Sequence, residues 1–415
     1  KCNYAASQHI NDAIRLMAFD TWTTSRSVRR VVLVSSNQPL AECMRMWCAA
    51  LGVSFEWQQI DSQSVNLSLV RRIYQFLPQF LQALASFLFY LVDRWPLRGV
   101  GLKEWRQTRG RVAFISYLFN LEPVAAKTGR YESHYWADFP TELQRGGCKT
   151  NWLHLYLKDP LLPTAGKAAS IIHEFNRTGK GEQVHVTLDS FLSVRVAFKT
   201  LRDWCRLALS GKRLESKMSA VTSNGLNLWP LYSKEWSEST VGPKSIINAL
   251  NLNLFETATK ALPKQRAGIY LYEQQPWELA LIHAWKSSGH GCLIGAQHTT
   301  MLFWSLRFFH DQRSYKRSGC NELPMPNKVA VNGPIAMKTC LQARYPEEAL
   351  VEVEALRYLY LSEAKIEICA GRVFEHGPEK RILQVLVLGD YLPSNMQRQM
   401  NLLVQAMPLL PMAVN

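Results

Sequence analysis

Paired cysteines, glycine-rich phosphate loops and acidic residues are what this chain is short of. Its nine cysteines, Cys2, Cys43, Cys48, Cys148, Cys205, Cys292, Cys320, Cys340 and Cys369, are odd in number and dispersed, with no CxxC pair. That speaks against a disulfide framework and against a zinc site, and for reduced thiols in a cytoplasmic protein. No GxGxxG or GxxxxGK[ST] loop occurs, so the commonest backbone cradles for dinucleotides and nucleoside triphosphates are excluded. There is no zinc finger, RNP-type aromatic motif or basic-region helix, and nucleic acid is not an expected partner. No signal-peptide pattern precedes the fold, and the first residue is Lys1 rather than Met, so a fragment is expected at this end. Acidic residues number 33 against 48 lysines and arginines, leaving a formal charge of +15. Such a surface favours anionic partners: nucleotides, phosphate-bearing substrates or an anionic membrane face.

What is present is a globular composition, 47% hydrophobic and 20% charged over 415 residues, enough for more than one domain. Short β-rich runs alternate with helical patterns, the signature of an α/β protein with a largely parallel sheet. RVVLVSS (30 to 36), LAECMRMWCAALG and VSFEWQQI read as strand, helix and strand. RVAFISYLF (111 to 119), NWLHLYL (151 to 157), QVHVTL (183 to 188), GIYLYE and KVAVNG (328 to 333) read as further strands. A long helix beginning SVRVAF is expected to stop at Gly211, with a loop over 212 to 240 and a helix near 243 to 262. EEALVEVEALRYLYLSEA (347 to 364) reads as a helix, and ILQVLVLGDYLPSNMQRQMNLLVQAM as strand, turn and helix opening a new domain.

One apolar run, IYQFLPQFLQALASFLFYLV (73 to 92), has the length of a membrane span. Its polar residues Gln75, Gln79, Gln82 and Ser86 fall at steps of four, three and four, which places them on one helical stripe. A spanning helix has no use for that stripe. A helix packed on its own domain, or lying in a bilayer interface with Arg71, Arg72 and Arg94 beside it, does.

Residues 268 to 298 form another βαβ pattern: GIYLYE, a helix from Pro276 to the stop at Gly289, and GCLIGA. A right-handed crossover makes the two strands parallel, which brings Glu273 and His298 to the same carboxyl edge, where open α/β sheets bind ligands. Glu278 falls at the third helical position, where a carboxylate caps free backbone N–H groups, so structure alone accounts for it. Trp277 and Trp285 read as core. Glu273 lies before the helix begins and has no such structural explanation. His298 sits at a strand-to-helix corner, where a cap, a core role and a substrate contact are all open.

The ordered series FISYLFNLE, GRYESHYWADFP, NWLHLY, YLYEQQPWE, GAQHTT, PMPNKVAVNGP, EVEALRYLYL and VLVLGDYLP resembles a family of bacterial surface-carbohydrate biosynthesis proteins. These are similar to GT-B glycosyltransferases, the retaining β-Kdo transferases of lipopolysaccharide O-antigen and capsule assembly. The resemblance covers roughly residues 110 to 405; the combination of motifs is specific, whereas no single one is. It implies a GT-B-like α/β fold: a Rossmann-like acceptor-side domain over 1–380 with a helical insertion at about 62–110, and over 381–415 the first strand–helix unit of a truncated nucleotide-sugar-binding domain. It implies a cytoplasmic enzyme, peripheral on the anionic inner membrane, that transfers a sugar, with Kdo from CMP-Kdo as the candidate, to a lipid-linked glycan. The nucleotide sugar is a substrate and no cofactor is implied. Carried over by position, Glu273 is the catalytic carboxylate; His298, set with it as a catalytic residue, and Gln297 contact the sugar acid or donor phosphate, Gln274 is a substrate-binding amide, Arg357 or Tyr358 helps at the phosphate end, and Tyr135 and Trp136 stack on acceptor sugars, core packing being the other reading of those two rings. The family pattern has Asn where this chain has Gln274 and an aromatic where it has Ala296, which reshapes the pocket, and its donor half carries a His-Pro motif absent here, which puts donor binding in doubt. A non-catalytic glycan-binding scaffold, and a polyol-phosphate transferase using a CDP-linked donor, are the alternatives.

Overall fold

The computed structural model describes residues 7, 9–60, 73–74, 76–119, 121–223, 226–301, 306–309, 323–359, 387–389 and 393–409. Two compact units divide at Tyr360 and Leu361. In the second, the described helix is Pro393–Ala406, where the sequence predicts one; the strand expected before it lies largely outside the described residues.

The first unit opens with a small layer. Helix α1 (His9–Thr23) precedes strand β1 (Arg30–Val34), helix α2 (Gln38–Leu51) and strand β2 (Ser54–Gln58). Asn37 caps α2 by accepting from the Leu40 N–H at 3.3 Å, Pro39 sits in its first turn, and Gly52 ends it at φ 67°. The predicted βαβ unit forms, with β1 and β2 parallel, but as a two-stranded sheet of its own. Leu16, Cys43, Trp47 and Cys48 make its core together with Leu226 and Leu231 from much later in the chain. Burial pushes the Cys43 thiol up to about 11, so it packs as an inert apolar group.

Helices α3 (Gln79–Arg94) and α4 (Leu102–Gln107) lead into the main sheet. Its elements in chain order are β3 (Val112–Tyr117), α5 (Pro123–Lys127), α6 (Phe139–Arg145), β4 (Thr150–Leu155), α7 (Ala165–Thr178), β5 (Gln183–Thr187) and α8 (Val194–Ser219). A short antiparallel pair, β6 (Thr222–Ser223) with β7 (Leu226–Asn227), and helices α9 (Trp229–Thr240) and α10 (Pro243–Ala261) follow. The chain returns as β8 (Ala267–Leu271), α11 (Pro276–Ser287), β9 (Cys292–Ala296), β10 (Lys328–Asn332), α12 (Pro334–Gln342) and β11 (Leu350–Val353). The seven strands from β3 onward, less the short pair, make one parallel sheet in the order β11-β10-β9-β8-β3-β4-β5. Parallel strands covered by helices need apolar side chains along their length, and β3 and β4 are buried almost throughout. A row of flat rings crosses strands: Phe114 stacks on Trp152 at 4.3 Å, and His154 and His185 stack 5.3 Å apart with Nε2 and Nδ1 at 3.0 Å.

Three expectations are corrected. Gly211 does not stop α8, which continues to Ser219; the glycine is buried where α8 meets α9, and a Cβ there would stand 2.5 Å from Cβ of Thr240. It is a close-packing residue, and the loop expected over 212 to 240 is the end of α8, the β6–β7 pair and α9. The helix expected over 347 to 364 is instead a single 3-10 turn, strand β11 and a second 3-10 turn at Leu356–Tyr358, as far as Leu359. There the β-branched Val351 and Val353 suit a strand, and pairing with β10 satisfies its backbone.

No helix among the described residues is long and apolar enough to cross a membrane. α3 is amphipathic, with Gln82 and Ser86 of the predicted stripe turned toward Tyr74 and Leu77, while Gln75 lies outside the described residues: Gln82 donates to the Leu77 carbonyl at 2.7 Å, and the Ser86 and Tyr74 hydroxyls lie 2.7 Å apart. Ala83 and Phe87 are buried on the inner side.

Candidate functional site

Chain order and sheet order part company at one place. From β3 the chain builds outward through β4 to β5; it then returns to the other side of β3 as β8 and builds the opposite way to β11. Connections beyond the carboxyl ends of β3 and β8 therefore diverge, and such a switch point leaves a crevice. Tyr117 ends β3, and Glu273 follows the end of β8.

The register brings His298 to the same place. Leu271 is opposite Ala296, and Glu273 and His298 each stand two residues further on, hence on the same face of neighbouring strands. His298 Nε2 lies 3.0 Å from Glu273 Oε1, and the Tyr117 hydroxyl donates to Glu273 Oε2 at 3.0 Å. The indole N–H of Trp277 in turn donates to the Tyr117 oxygen at 3.1 Å. Burial, and then the adjacent Glu273 carboxylate, raise the Tyr117 phenol above its ordinary range, so it remains a donor.

The backbone that carries Glu273 is fixed by Glu278. With Gln275 as cap, Glu278 is the third helical residue of α11, as its spacing predicts; its Oε1 accepts from the Gln275 N–H at 2.5 Å and from the Glu273 N–H at 3.0 Å. Gln274, between them, takes the left-handed conformation at φ 62°, which favours glycine. Its amide donates to Tyr345 at 2.8 Å and to Tyr272, so its described bonds go to a buried tyrosine pair rather than to His298.

The His298 side chain is 5% exposed, and its second nitrogen, Nδ1, has no hydrogen-bond partner among the described residues. The ring of Tyr135 meets it edge-on at 5.0 Å, and the Arg357 guanidinium lies 5.7 Å from the Tyr135 centroid. Gln297 braces the turn, donating to the Thr299 carbonyl at 2.7 Å and accepting from the Asn332 N–H at 3.4 Å. The small hollow at His298 shares Leu356 and Arg357 with a polar cleft of about 830 Å3, lined also by Glu132, His134, Asp138 and Gln144.

Of the residues singled out from sequence, Glu273, His298, Gln297, Tyr135 and Arg357 come together. Trp136 belongs to the core, 1% exposed, its N–H on the Ser116 hydroxyl. Tyr358 is half-buried in the turn after β11, and no described bond carries its side chain to His298. Tyr117 was missed: a hydroxyl closing an apolar strand was its only signal, and strand adjacency decides what it faces.

A carboxylate on one imidazole nitrogen fixes ring orientation and tautomer and supports a positive charge on the ring, leaving the other nitrogen to exchange a proton with a bound group. Among the described residues, no group of three or more His, Cys, Asp or Glu is placed to hold a metal. No protein-family model, curated protein or solved structure matches the chain.

Proposed function

We propose that this chain is a glycosyltransferase of surface-polysaccharide assembly, built on the GT-B plan, that transfers a sugar from a nucleotide donor to a lipid-linked glycan, with Kdo from CMP-Kdo as the candidate donor. The observation that carries it is the Glu273–His298 pair at the switch-point edge, with one imidazole nitrogen left over, beside a polar cleft and the Arg357 guanidinium. In transfer, the acceptor hydroxyl gives its proton to His298 Nδ1 as its oxygen bonds to the anomeric carbon; the bond from that carbon to phosphate breaks, and the nucleotide leaves with the electron pair. Glu273, whose oxygens already accept from Tyr117 and His298, acts here as a positioning residue that supports the imidazolium. Arg357 supplies positive charge for a sugar carboxylate or donor phosphate, and the cleft of about 830 Å3 has the size and polarity for acceptor sugars.

A second reading, polyol-phosphate transfer from a CDP-linked donor, is favoured by the same unpaired Nδ1, since a hydroxyl must be deprotonated there too. Incubating the full protein with a lipid-linked acceptor and either CMP-Kdo or CDP-glycerol separates the two. Product from CMP-Kdo, lost on His298→Gln, is the expected result. Product from CDP-glycerol alone assigns the second reading, and glycan binding with no turnover of either donor makes the chain a scaffold.

A further inference from the structure

Helix α3 wears part of its amphipathicity inside out. Gln82 and Ser86 are half-buried on the domain side, while Leu88, Phe89 and Val92 are 61%, 70% and 76% exposed. Phe80 and Leu81, one turn or two earlier, are exposed as well. Apolar groups spaced along one outer face of a helix are costly in water, and nothing in the core requires them there.

The face continues beyond α3. The Gly99 N–H donates to the Ser190 carbonyl at 2.9 Å and the Tyr90 hydroxyl to Asp189 at 2.6 Å, which ties the end of α3 to the start of α8. Val194 and Phe198, in the first turns of α8, are exposed. Between the helices stands Trp95, half exposed, with the Arg98 guanidinium 4.8 Å from its ring centroid.

The unpaired charges beside the face are of one sign. Arg98, Arg195 and Arg206 are exposed and have no carboxylate partner among the described residues, while the acids near them pair with other cations: Asp93 with Lys158, Asp203 with Arg202 and Glu256 with Lys199. We infer that the outer face of α3, with the first turns of α8, seats the protein on an anionic lipid bilayer. Apolar and aromatic groups enter the headgroup boundary, and the free cations meet lipid phosphates. A second copy of the chain would be the poorer occupant, because a two-fold contact sets this cationic border against itself. The inference rests on exposure and charge and is independent of the transfer reaction.

Flotation of the full chain with vesicles tests it. Vesicles of phosphatidylcholine containing about a quarter phosphatidylglycerol should carry the protein up, and phosphatidylcholine alone should do so much less. The double variant Leu88→Asn/Phe89→Asn, and separately Arg98→Glu/Arg206→Glu, should each lower partitioning onto the anionic vesicles at least about tenfold. All four side chains are exposed, so melting followed by circular dichroism should be unchanged in both variants. Failure to float with anionic vesicles overturns the inference, as does flotation that Leu88→Asn/Phe89→Asn leaves intact. A dimer in light scattering that this variant dissociates, without vesicle binding, assigns the face to a second copy and overturns it as well.

Discussion

Two places in the sheet bury histidine, and they do so to different ends. His154 and His185 lie within β4 and β5, stacked on each other, with each ring's nearest polar neighbour another imidazole. Burial holds the first down to about 3 and the second well below its ordinary range, so both stay neutral. His298 is as deeply placed, but it stands past a strand end, with a carboxylate on one nitrogen and a hollow beside it. Burial alone therefore does not mark a functional histidine. Position along the strand and the nature of the partner do: a strand end with a carboxylate and a hollow beside the ring, against a strand interior with another imidazole.

The comparison can be broken at several points. The largest effect is expected of His298→Gln, which should lower turnover by about 10²- to 10⁴-fold while leaving the melting temperature nearly unmoved. Retained activity would make His298 a packing group like His154. Next, Glu273→Gln should cost about tenfold to a hundredfold in kcat with KM little changed, since it acts through the imidazole rather than on the substrate; a rise in KM alone would move Glu273 to substrate binding.

The core pair is expected to report through stability and not through rate. A histidine whose folded pKa is depressed contributes stability that is whole above its ordinary value of 6.5 and is lost as pH falls toward the folded value, here about 3 for His154. Thermal melts of the parent should therefore weaken across that window, and His154→Leu should flatten the decline with turnover unaltered. An equally steep acid decline in the variant would remove the pair from the account. The smallest effect is expected of Tyr117→Phe, which deletes one hydrogen bond to Glu273, worth about 1 kcal/mol, and should slow turnover several-fold. A full loss would give the phenol a direct role.

How much of this was legible beforehand depended on range. The β8–α11–β9 unit, the meeting of Glu273 with His298 and the capping place of Glu278 follow from local spacing and the crossover rule, and the sequence carries them. Tyr117 does not follow, because the adjacency of β3 and β8 is a pairing between distant parts of the chain. Gly211 misleads for a related reason: a glycine ends a helix or admits a neighbour closely, and only Thr240, far along the chain, decides which. The stripe on α3 was readable as one face, but periodicity is silent on which face turns inward. Residues 347 to 364 read as helix because Leu, Glu and Ala dominate; two β-branched valines and an open sheet edge prevailed over propensity.

The switch point also sets an order of events. Neighbouring strands β3 and β4, or β8 and β9, can find each other across short stretches of chain, whereas Val112 meets Ala267 only by closing a loop that contains β4, β5 and four long helices. Such closure is entropically slow. Tyr117 and Glu273 belong to opposite halves, so in refolding the helical signal should return first and activity should wait for the halves to join. The crevice is in that sense a seam, and its completion marks the last step by which the domain becomes whole.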